Sequence, residues 1–309
     1  MDKEPMYIKF NSNRRPKFRI RTEIRQEGGK ILVYKIAGNK IAEDFLKNII
    51  RTYKKLKKLK LSIKTNQALL IDNQTARLEY ITGSTMLEKL AIVAKEKAYK
   101  KCILLFKDLE SIIDRFPTQD TTLSTDFVKL FGKYRKKSYI SIRPGILDIN
   151  LDNILFDKEG IPNLIDYEWS FNFGIPKRYI LYRAIYYSFV QLGSVLESSI
   201  KIEDIEKEFE FTESEIREYF KWEINFQEYV SGIKIDLNEI LKYRKSFHED
   251  TRVNNTMIID RREFENKIST YEDKIRDLKN EVNSFDSFKK GKIWKTIQKY
   301  RKLKSYFVK

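Results

Sequence analysis

Asp148, Asn153 and Asp166 lie in a stretch, residues 147–169, in which carboxylates and asparagines alternate with leucine and isoleucine. An ionised carboxylate in apolar surroundings costs free energy unless a cation or a hydrogen-bond donor pairs with it. A magnesium ion, which prefers oxygen ligands, is one such partner. These residue types therefore suit phosphoryl transfer, which needs positioning and charge neutralisation more than covalent help.

The spacing of the three residues gives each of them a role in that chemistry. Asp148 and Asn153 stand as Asp-x4-Asn, and Asp166 follows after a segment that reads as strand, turn and strand. Such a hairpin would bring Asn153 and Asp166 together as two ligands of one Mg²⁺. Asp148 would then act as the base near the attacking hydroxyl. Because Asp-x4-Asn is frequent by chance, the interpretation depends on the rest of the chain.

A lysine near the N-terminus completes the set. Lys35 lies in "LVYKIA", an apolar strand that a helix follows, where its ammonium group would hold the α- and β-phosphates of ATP. We expect Glu43 on that helix to pair with Lys35. Asp44 is adjacent, however, and the sequence leaves the phase of the helix open.

The N-terminal residues read as three strands, a helix and two strands. Residues 17–25, "KFRIRTEIR", place Phe18, Ile20, Thr22 and Ile24 on one face, which predicts a half-buried antiparallel strand. The glycines of "EGGK" then turn the chain into a second strand. A helix follows over 40–58, and "QALLIDNQTARLEYI" reads as a second hairpin. We predict an N-lobe over 1–84 with a five-stranded antiparallel sheet and one helix.

The rest of the chain is mainly helical before its character changes. Helices are predicted over 86–114, 178–197, 203–209, 213–230 and 237–245, within a C-lobe over 85–255. Apolar residues then recur in a heptad pattern from 264 to 285, which predicts a coiled-coil helix over 256–287. This helix would form a homo-oligomer or pack back on the body of the protein.

A basic amphipathic tail is predicted over 288–309. It has nine Lys and Arg residues and no acidic one from 289 onward, with Ile, Tyr, Trp and Phe along one face. That pattern favours an anionic membrane surface over a nucleic-acid contact or a solvated helix end. The predicted partner of 289–309 is therefore a membrane, and no nucleic acid is expected.

Composition excludes several other classes of site. The only histidine, His248, rules out histidine-based metal clusters, and the only cysteine, Cys102, rules out an internal disulfide. No run approaches 18 apolar residues, and the N-terminus does not read as a signal peptide. The predicted location is the cytoplasm, at the inner face of the cell membrane.

Taken in order, Lys35, the Asp-x4-Asn pair and Asp166 resemble the protein-kinase-like superfamily, in its aminoglycoside and choline kinase branch. The resemblance covers about residues 7–250 and implies an α+β, bilobal protein-kinase-like fold, here followed by the coiled coil and the basic helix. In that branch the metal motif often reads Asp-aromatic-Glu, as in "LIDYEW" here, which implies that Glu168 assists a second Mg²⁺. "LEYITGSTMLEKL" is similar to the interlobe hinge, which implies that the backbone of Glu79 and Ile81 contacts adenine.

More narrowly, "FRIRTEI", "IDYEWSFNFGIPKRYILYR" and the trailing coiled coil look like bacterial kinase domains of cell-surface polysaccharide synthesis, such as those that cap O-antigen chains. This resemblance implies an ATP- and Mg²⁺-dependent kinase that phosphorylates a saccharide hydroxyl, on a cell-surface glycan or a lipid-linked glycan. Glycosyltransferases would be its protein partners.

The chain departs from the family pattern at two places. "NSNRRP" stands where the superfamily often carries glycines, so side chains such as Asn13 and Arg14 would hold the phosphates. "GIL" stands where a histidine usually leads into the catalytic aspartate. Two alternatives remain open: a catalytically inactive kinase-like scaffold, and a small-molecule kinase whose cationic acceptor meets the acidic stretch "EDIEKEFEFTESE".

Overall fold

The computed structural model describes residues 5–59, 61–234 and 236–238, and over these the chain is a mixed α+β structure. The strands are β1 (Tyr7–Phe10), β2 (Ile20–Glu27), β3 (Lys30–Ala37), β4 (Lys64–Thr65), β5 (Ala68–Leu70), β6 (Thr75–Glu79), β7 (Ser84–Thr85), β8 (Thr118–Thr121), β9 (Tyr139–Ile142), β10 (Gly145–Ile146), β11 (Ile154–Phe156), β12 (Pro162–Leu164), β13 (Ser170–Phe171) and β14 (Ile175–Pro176). The helices are α1 (Glu43–Lys58), α2 (Met86–Lys95), α3 (Tyr99–Ile113), α4 (Thr125–Phe131), α5 (Lys177–Leu192), α6 (Ser194–Glu197), α7 (Ile202–Glu208) and α8 (Glu213–Ser231). Two 3-10 turns lie at Pro16–Phe18 and Lys40–Ala42.

The N-terminal sheet has five antiparallel strands in the order β1-β2-β3-β6-β5. One face of α1 packs against it, because apolar residues recur every three or four positions along the helix and its other face is basic. Leu46 and Ile49, which are almost fully buried, belong to this apolar face. The 3-10 turn before α1 is capped by Asn39, whose side-chain oxygen accepts a hydrogen bond from the amide of Ala42 at 3.1 Å.

The pattern of burial in β2 differs from the predicted alternation. Phe18 lies in the 3-10 turn rather than in the strand. Within the strand Ile20 is buried as predicted, but the second buried residue is Glu23, and Thr22 is only half-buried. Arg21 and Arg25 each place a guanidinium nitrogen 2.5 Å from the Glu23 carboxylate. This pairing lets a carboxylate occupy a position that the sequence pattern assigns to solvent.

Two of the helices predicted after β7 are interrupted, whereas those predicted over 203–209 and 213–230 are present as α7 and α8. The helix expected over 86–114 is two helices, α2 and α3, because Lys97 adopts a left-handed conformation with φ of 54° between them. The helix expected over 178–197 ends as α5 at Gly193, whose φ is 49°. The first break contains neither glycine nor proline, so no residue type in the sequence marks it.

The core of the helical part is aromatic. Side chains from α4, α5 and α8 meet there, each no more than 1% exposed: Phe127, Phe131, Tyr179, Trp222 and Phe226. Trp222 also donates a hydrogen bond from its indole nitrogen to the carbonyl of Lys133 at 3.0 Å. This packing fixes α5 against α8, and these two helices stand behind the loop that carries Asp148.

Several predicted elements lie outside the described residues: the helix over 237–245 from residue 239 onward, the coiled coil over 264–285 and the basic tail over 289–309. Among the helices that the structure describes, none has both the length and the apolar character needed to cross a membrane.

Candidate active site

Two short strands bring Asn153 and Asp166 to one end of a hairpin. Asn153 comes directly before β11, and Asp166 follows β12 by two residues, in an antiparallel pair whose register places Ile154 opposite Leu164. The amide of Ile165 donates a hydrogen bond to the carbonyl of Asn153 at 2.9 Å, which extends the pairing up to the two polar residues. The polar side chains therefore lie just beyond the strands rather than within them.

Backbone contacts place Asp148 beside the same hairpin end. Asp148 follows β10, and the amide of its neighbour Leu147 bonds to the carbonyl of Trp169 at 2.9 Å. The Asn153 side chain donates from Nδ2 to the carbonyl of Asp148 at 3.1 Å. This bond uses the nitrogen of the amide, so its oxygen remains as a ligand.

Lys35 meets the predicted metal-binding carboxylates directly. It projects from the middle of β3 and is 4% exposed, with Nζ 2.5 Å from Asp166 Oδ1 and 2.6 Å from Glu168 Oε2. Burial disfavours the charge of Lys35, but the two carboxylates outweigh burial and raise its pKa. The lysine is therefore a fixed cation at the end of the hairpin.

Arg14 is the second cation at this position. Its Nη1 lies 2.7 Å from Glu168 Oε1, and its guanidinium stands over the ring of Trp169, 5.3 Å from the ring centroid. Burial raises the pKa of Glu168, yet Lys35 and Arg14 together lower it to about 2. The "NSNRRP" loop thus reaches the site through Arg14, whereas Asn13 lies exposed in the turn.

The pKa of Asp148 is shifted in the opposite direction from that of Glu168. Burial raises its pKa to about 7, the ion pair with Arg183 at 2.7 Å opposes this rise, and the charges of Asp166 and Glu168 add to it. A general base works best when its pKa lies near the operating pH. The environment of Asp148 therefore suits proton abstraction near neutral pH.

The donor set is suitable for Mg²⁺. The described residues contain no cluster of three acidic, histidine or cysteine side chains that would enclose a metal on their own. Mg²⁺ is commonly held by one or two carboxylates together with substrate phosphates, and retains water. The Asp166 side chain is 43% exposed, so the carboxylate has room for an ion beside the oxygen of Asn153. Asn153 and Asp166 are therefore suitable ligands for Mg²⁺, as the sequence predicts.

The predicted pairing of Glu43 with Lys35 is wrong in this structure. Glu43 begins α1, where a negative charge is favourable next to the helix N-terminus, and it contacts Lys47 and Gln74 at 3.4 Å each. Glu168 takes the partner role that was expected of Glu43. The second-magnesium role suggested for Glu168 stays a prediction.

The hinge residues lie apart from this cluster. The amide of Glu79 donates to the carbonyl of Gln67 at 2.9 Å, so a contact from that amide to adenine would require this bond to break. Glu79 and Ile81 also line a cavity of about 550 Å³, together with the turn at 157–159. That cavity does not include Lys35 or the predicted metal ligands, and the adenine contact through Ile81 stays a prediction.

Polar side chains of α1 form hydrogen bonds to the segment that follows Trp169, and the sequence did not predict these contacts. Asn48 donates from Nδ2 to Ser170 Oγ at 3.1 Å, and the hydroxyls of Thr52 and Ser170 are hydrogen-bonded. Lys55 donates to Asn172 at 2.5 Å. Ser170 and Asn172 directly follow the Asp-Tyr-Glu-Trp segment, so these contacts couple α1 to it without a Glu–Lys pair. Short polar side chains carry no periodic signal that would have revealed this coupling.

Comparison with known proteins found similarity to solved structures only. No protein-family model and no curated protein sequence matches the chain. A macrolide 2′-phosphotransferase from Brachybacterium faecium is 8% identical, with 79% of this chain and 93% of that chain covered and a TM-score of 0.36. An ADP-bound aminoglycoside phosphotransferase is 13% identical, with coverage of 79% and 92% and a TM-score of 0.37. A choline kinase from Streptococcus pneumoniae is 12% identical, with coverage of 78% and 87% and a TM-score of 0.34. At these values none of them establishes the family of this chain.

Proposed function

We propose that the protein is a kinase that transfers the γ-phosphate of ATP to a hydroxyl of a saccharide and that it requires Mg²⁺. The observation that supports this most directly is the meeting of Lys35 with Asp166 and Glu168, beside Asp148. Three separate segments thus supply a cation for phosphates, carboxylates for a metal and a base for a hydroxyl. Phosphoryl transfer needs this combination of groups.

Each residue has a defined task in the proposed reaction. Asn153 and Asp166 would hold Mg²⁺, which when bound neutralises charge that develops on the phosphates. Lys35 would hold the α- and β-phosphates, and Arg14 would exchange its bond with Glu168 for one to a phosphate oxygen. Asp148 would accept the proton of the acceptor hydroxyl as its oxygen attacks the γ-phosphorus.

A titration of ATP with and without Mg²⁺ tests the nucleotide site. Calorimetry on the intact protein should show Mg²⁺-dependent binding that Asp166→Ala abolishes, because this change removes a metal ligand and a partner of Lys35. Asp126→Ala is the control, since Asp126 is an exposed carboxylate of α4 that contacts Lys129 and lies apart from this cluster. Mg²⁺-dependent binding that survives Asp166→Ala would refute the site assignment.

The acceptor is proposed to be a cell-surface glycan or a lipid-linked glycan at the cytoplasmic membrane face. The resemblance of "IDYEWSFNFGIPKRYILYR" to polysaccharide-linked kinase domains and the basic composition of 289–309 support this. Transfer of labelled γ-phosphate would be compared among lipid-linked glycans, aminoglycosides and choline. Labelling of glycans alone is the expected result, and labelling of choline alone would contradict it.

The acidic stretch considered for a cationic acceptor is largely engaged within the protein. Glu206 accepts a hydrogen bond from Tyr182, and Glu215 pairs with Lys136 at 2.7 Å. Both residues are buried. These contacts favour an uncharged hydroxyl-bearing acceptor over a small cation bound at this stretch.

A second candidate function is a non-catalytic scaffold that recruits glycosyltransferases. One observation favours it: Lys35 and Arg14 already compensate the charges of Asp166 and Glu168 without a nucleotide. In that case neither ATP nor ADP would bind, with or without Mg²⁺, in the calorimetric titration.

Two further proposals concern parts of the chain outside the described residues. Deletion of 289–309 should abolish binding to vesicles that contain anionic lipid, and unchanged binding would exclude this segment as the anchor. Replacement of the apolar heptad residues of 264–285 by serine should reduce the mass measured by light scattering to that of a monomer. An unchanged mass would exclude oligomerisation through the heptads.

A further inference from the structure

The loop that carries Asp148 lacks support from its own lead-in. The residues before Asp148 are Gly145, Ile146 and Leu147, none of which has a polar side chain to hold a carboxylate in place. The support comes instead from Arg183 in α5, 35 residues further along the chain. Its Nη1 lies 2.7 Å from Asp148 Oδ1, and the Asn150 side-chain oxygen and the Leu147 carbonyl lie within 3.5 Å of the same nitrogen.

Arg183 is itself held by a buried network. Its Nε donates to Glu223 Oε2 at 2.8 Å, and Glu223 in α8 is 5% exposed. The same carboxylate accepts hydrogen bonds from Tyr179 at 2.9 Å, Tyr187 at 2.7 Å and Gln227 at 2.7 Å. These hydrogen bonds hold the Glu223 carboxylate in one orientation. The carboxylate in turn holds the guanidinium of Arg183 in place.

Packing removes the remaining freedom of the guanidinium. It lies over the ring of Tyr187, 4.8 Å from the centroid, and within 5.8 Å of the centroid of Phe226. Arg183 as a whole is only 7% exposed. The rings hold the face of the planar guanidinium, and Glu223 holds its Nε edge. Its Nη1 therefore points in one direction only, toward Asp148.

A buried ion pair of this kind is a poor way to gain stability, because desolvation offsets much of the attraction. Apolar residues of similar volume would serve the α5–α8 contact at least as well. What the charged network supplies that an apolar contact does not is a fixed direction for the Asp148 carboxylate. Within the part of the chain that the structure describes, only Oδ1 of this carboxylate has a hydrogen-bond donor.

We propose that Arg183 is the positioning residue of the catalytic base: anchored on Glu223, it holds Oδ1 of Asp148 and leaves Oδ2 for the acceptor hydroxyl. This inference rests on the proposed kinase function. In this proposal Arg183 of α5 supports the Asp148 loop, because the residues directly before Asp148 have no side chain that could do so. A displacement of about 1 Å at a reacting group lowers rates by about 100-fold, so loss of this support should be visible in kcat.

The kinetic test uses the full chain and ATP consumption in the presence of Mg²⁺ as its readout. Arg183→Gln should lower kcat about 100-fold while the KM for ATP stays unchanged, since Arg183 contacts neither Lys35 nor the metal ligands. Arg183→Lys, which keeps the charge but not the fork of donors, should show a smaller loss. Arg178→Gln is the matched control, because Arg178 lies in the same helix and bonds to the carbonyls of Phe209 and Glu210. Equal losses in kcat and in ATP affinity would instead indicate a general structural role and overturn the proposal.

A second variant allows for the failure of Arg183→Gln to fold, since it leaves the Glu223 charge buried without its partner. Arg183→Gln combined with Glu223→Gln removes both charges together. The amide oxygen at position 223 can still accept from one of Tyr179 and Tyr187, and its NH2 group can donate to the hydroxyl of the other. This double variant should fold, and it should still show the loss of kcat. A folded double variant with wild-type kcat would overturn the proposal.

A crystal structure of the double variant separates this inference from the proposed function. The Asp148 carboxylate should turn away from its wild-type position, whether or not the protein binds ATP. An unmoved carboxylate would overturn the positioning role. Absence of Mg²⁺-dependent ATP binding to the wild-type protein, together with a displaced carboxylate, would refute the kinase function and leave the structural dependence of Asp148 on Arg183 intact.

Discussion

Replacement of Asp148 by asparagine should stabilise the folded protein at alkaline pH. Asparagine has nearly the shape of the protonated carboxyl, and its side-chain oxygen accepts the same hydrogen bond from Arg183. What it removes is the need to ionise a carboxyl in a buried position next to Asp166 and Glu168. Stability and catalysis would therefore change in opposite directions at this residue.

The size of the effect follows from the pKa of Asp148, which burial raises from 3.8 to about 7. One pKa unit corresponds to about 1.4 kcal/mol, so the full effect is about 4 kcal/mol. Because the pKa is higher in the folded chain than in the unfolded chain, the folded state binds more protons between these two pH values. The free energy of unfolding of the wild type should thus fall as pH rises from about 4 to about 7, and this contribution should be absent from Asp148→Asn.

The assay is guanidinium chloride unfolding of both proteins at pH 4, 7 and 8.5, in EDTA so that no metal contributes. The two proteins should be equally stable at pH 4, and Asp148→Asn should be more stable by about 4 kcal/mol at pH 8.5. A variant that is no more stable than the wild type at pH 8.5 would refute the reasoning about this carboxylate.

Asp157→Asn provides a control of opposite sign. The amide of Ile161, the side chain of Asn163 and Lys64 outweigh desolvation and lower the pKa of Asp157 to about 2. Its contribution to stability is therefore present above pH 4 and is lost as pH falls toward 2. Asparagine at this position should destabilise the protein at neutral pH, and the difference should vanish in acid.

Three further substitutions test individual contacts. Lys35→Met leaves Asp166 and Glu168 without their shared ammonium group, so the free energy of unfolding should fall by about 3–5 kcal/mol in denaturant titrations, and an unchanged value would refute the buried pairing. Arg14→Gln should weaken ADP binding in calorimetry, because Arg14 is the cation of the "NSNRRP" loop that reaches the site, and unchanged affinity would exclude it from the phosphate site. Thr85→Ala removes the capping box at the start of α2 and should cost about 1 kcal/mol in thermal unfolding; no shift in Tm would contradict this role.

The parts of the site that lie close together in the sequence were predictable from it. Asn153 and Asp166 flank a short hairpin, and their proximity follows from the turn that joins β11 and β12. The N-terminal sheet and α1 follow from alternating and helical periodicity, since each of these elements must bury one apolar face. Lys35 was identified by its place in β3 and by the helix that comes after it.

The contacts between distant segments were not predictable in the same way. Glu43 was the predicted partner of Lys35, and only the folded chain shows that Glu168 takes this place while Glu43 contacts Lys47. The break between α2 and α3 depends on a left-handed Lys97, a conformation that no residue type there favours.

The sequence by itself determined which groups are present and how they are ordered: a lysine in a strand, an Asp-x4-Asn loop and an Asp-Tyr-Glu segment at the end of a hairpin. The tertiary structure decided how these groups are paired and charged. Arg183 and Glu223 are 40 residues apart, and no spacing in the sequence links either of them to Asp148, yet together they orient it. The physical reason is that pKa and orientation depend on burial and on neighbouring charges, which local sequence does not contain.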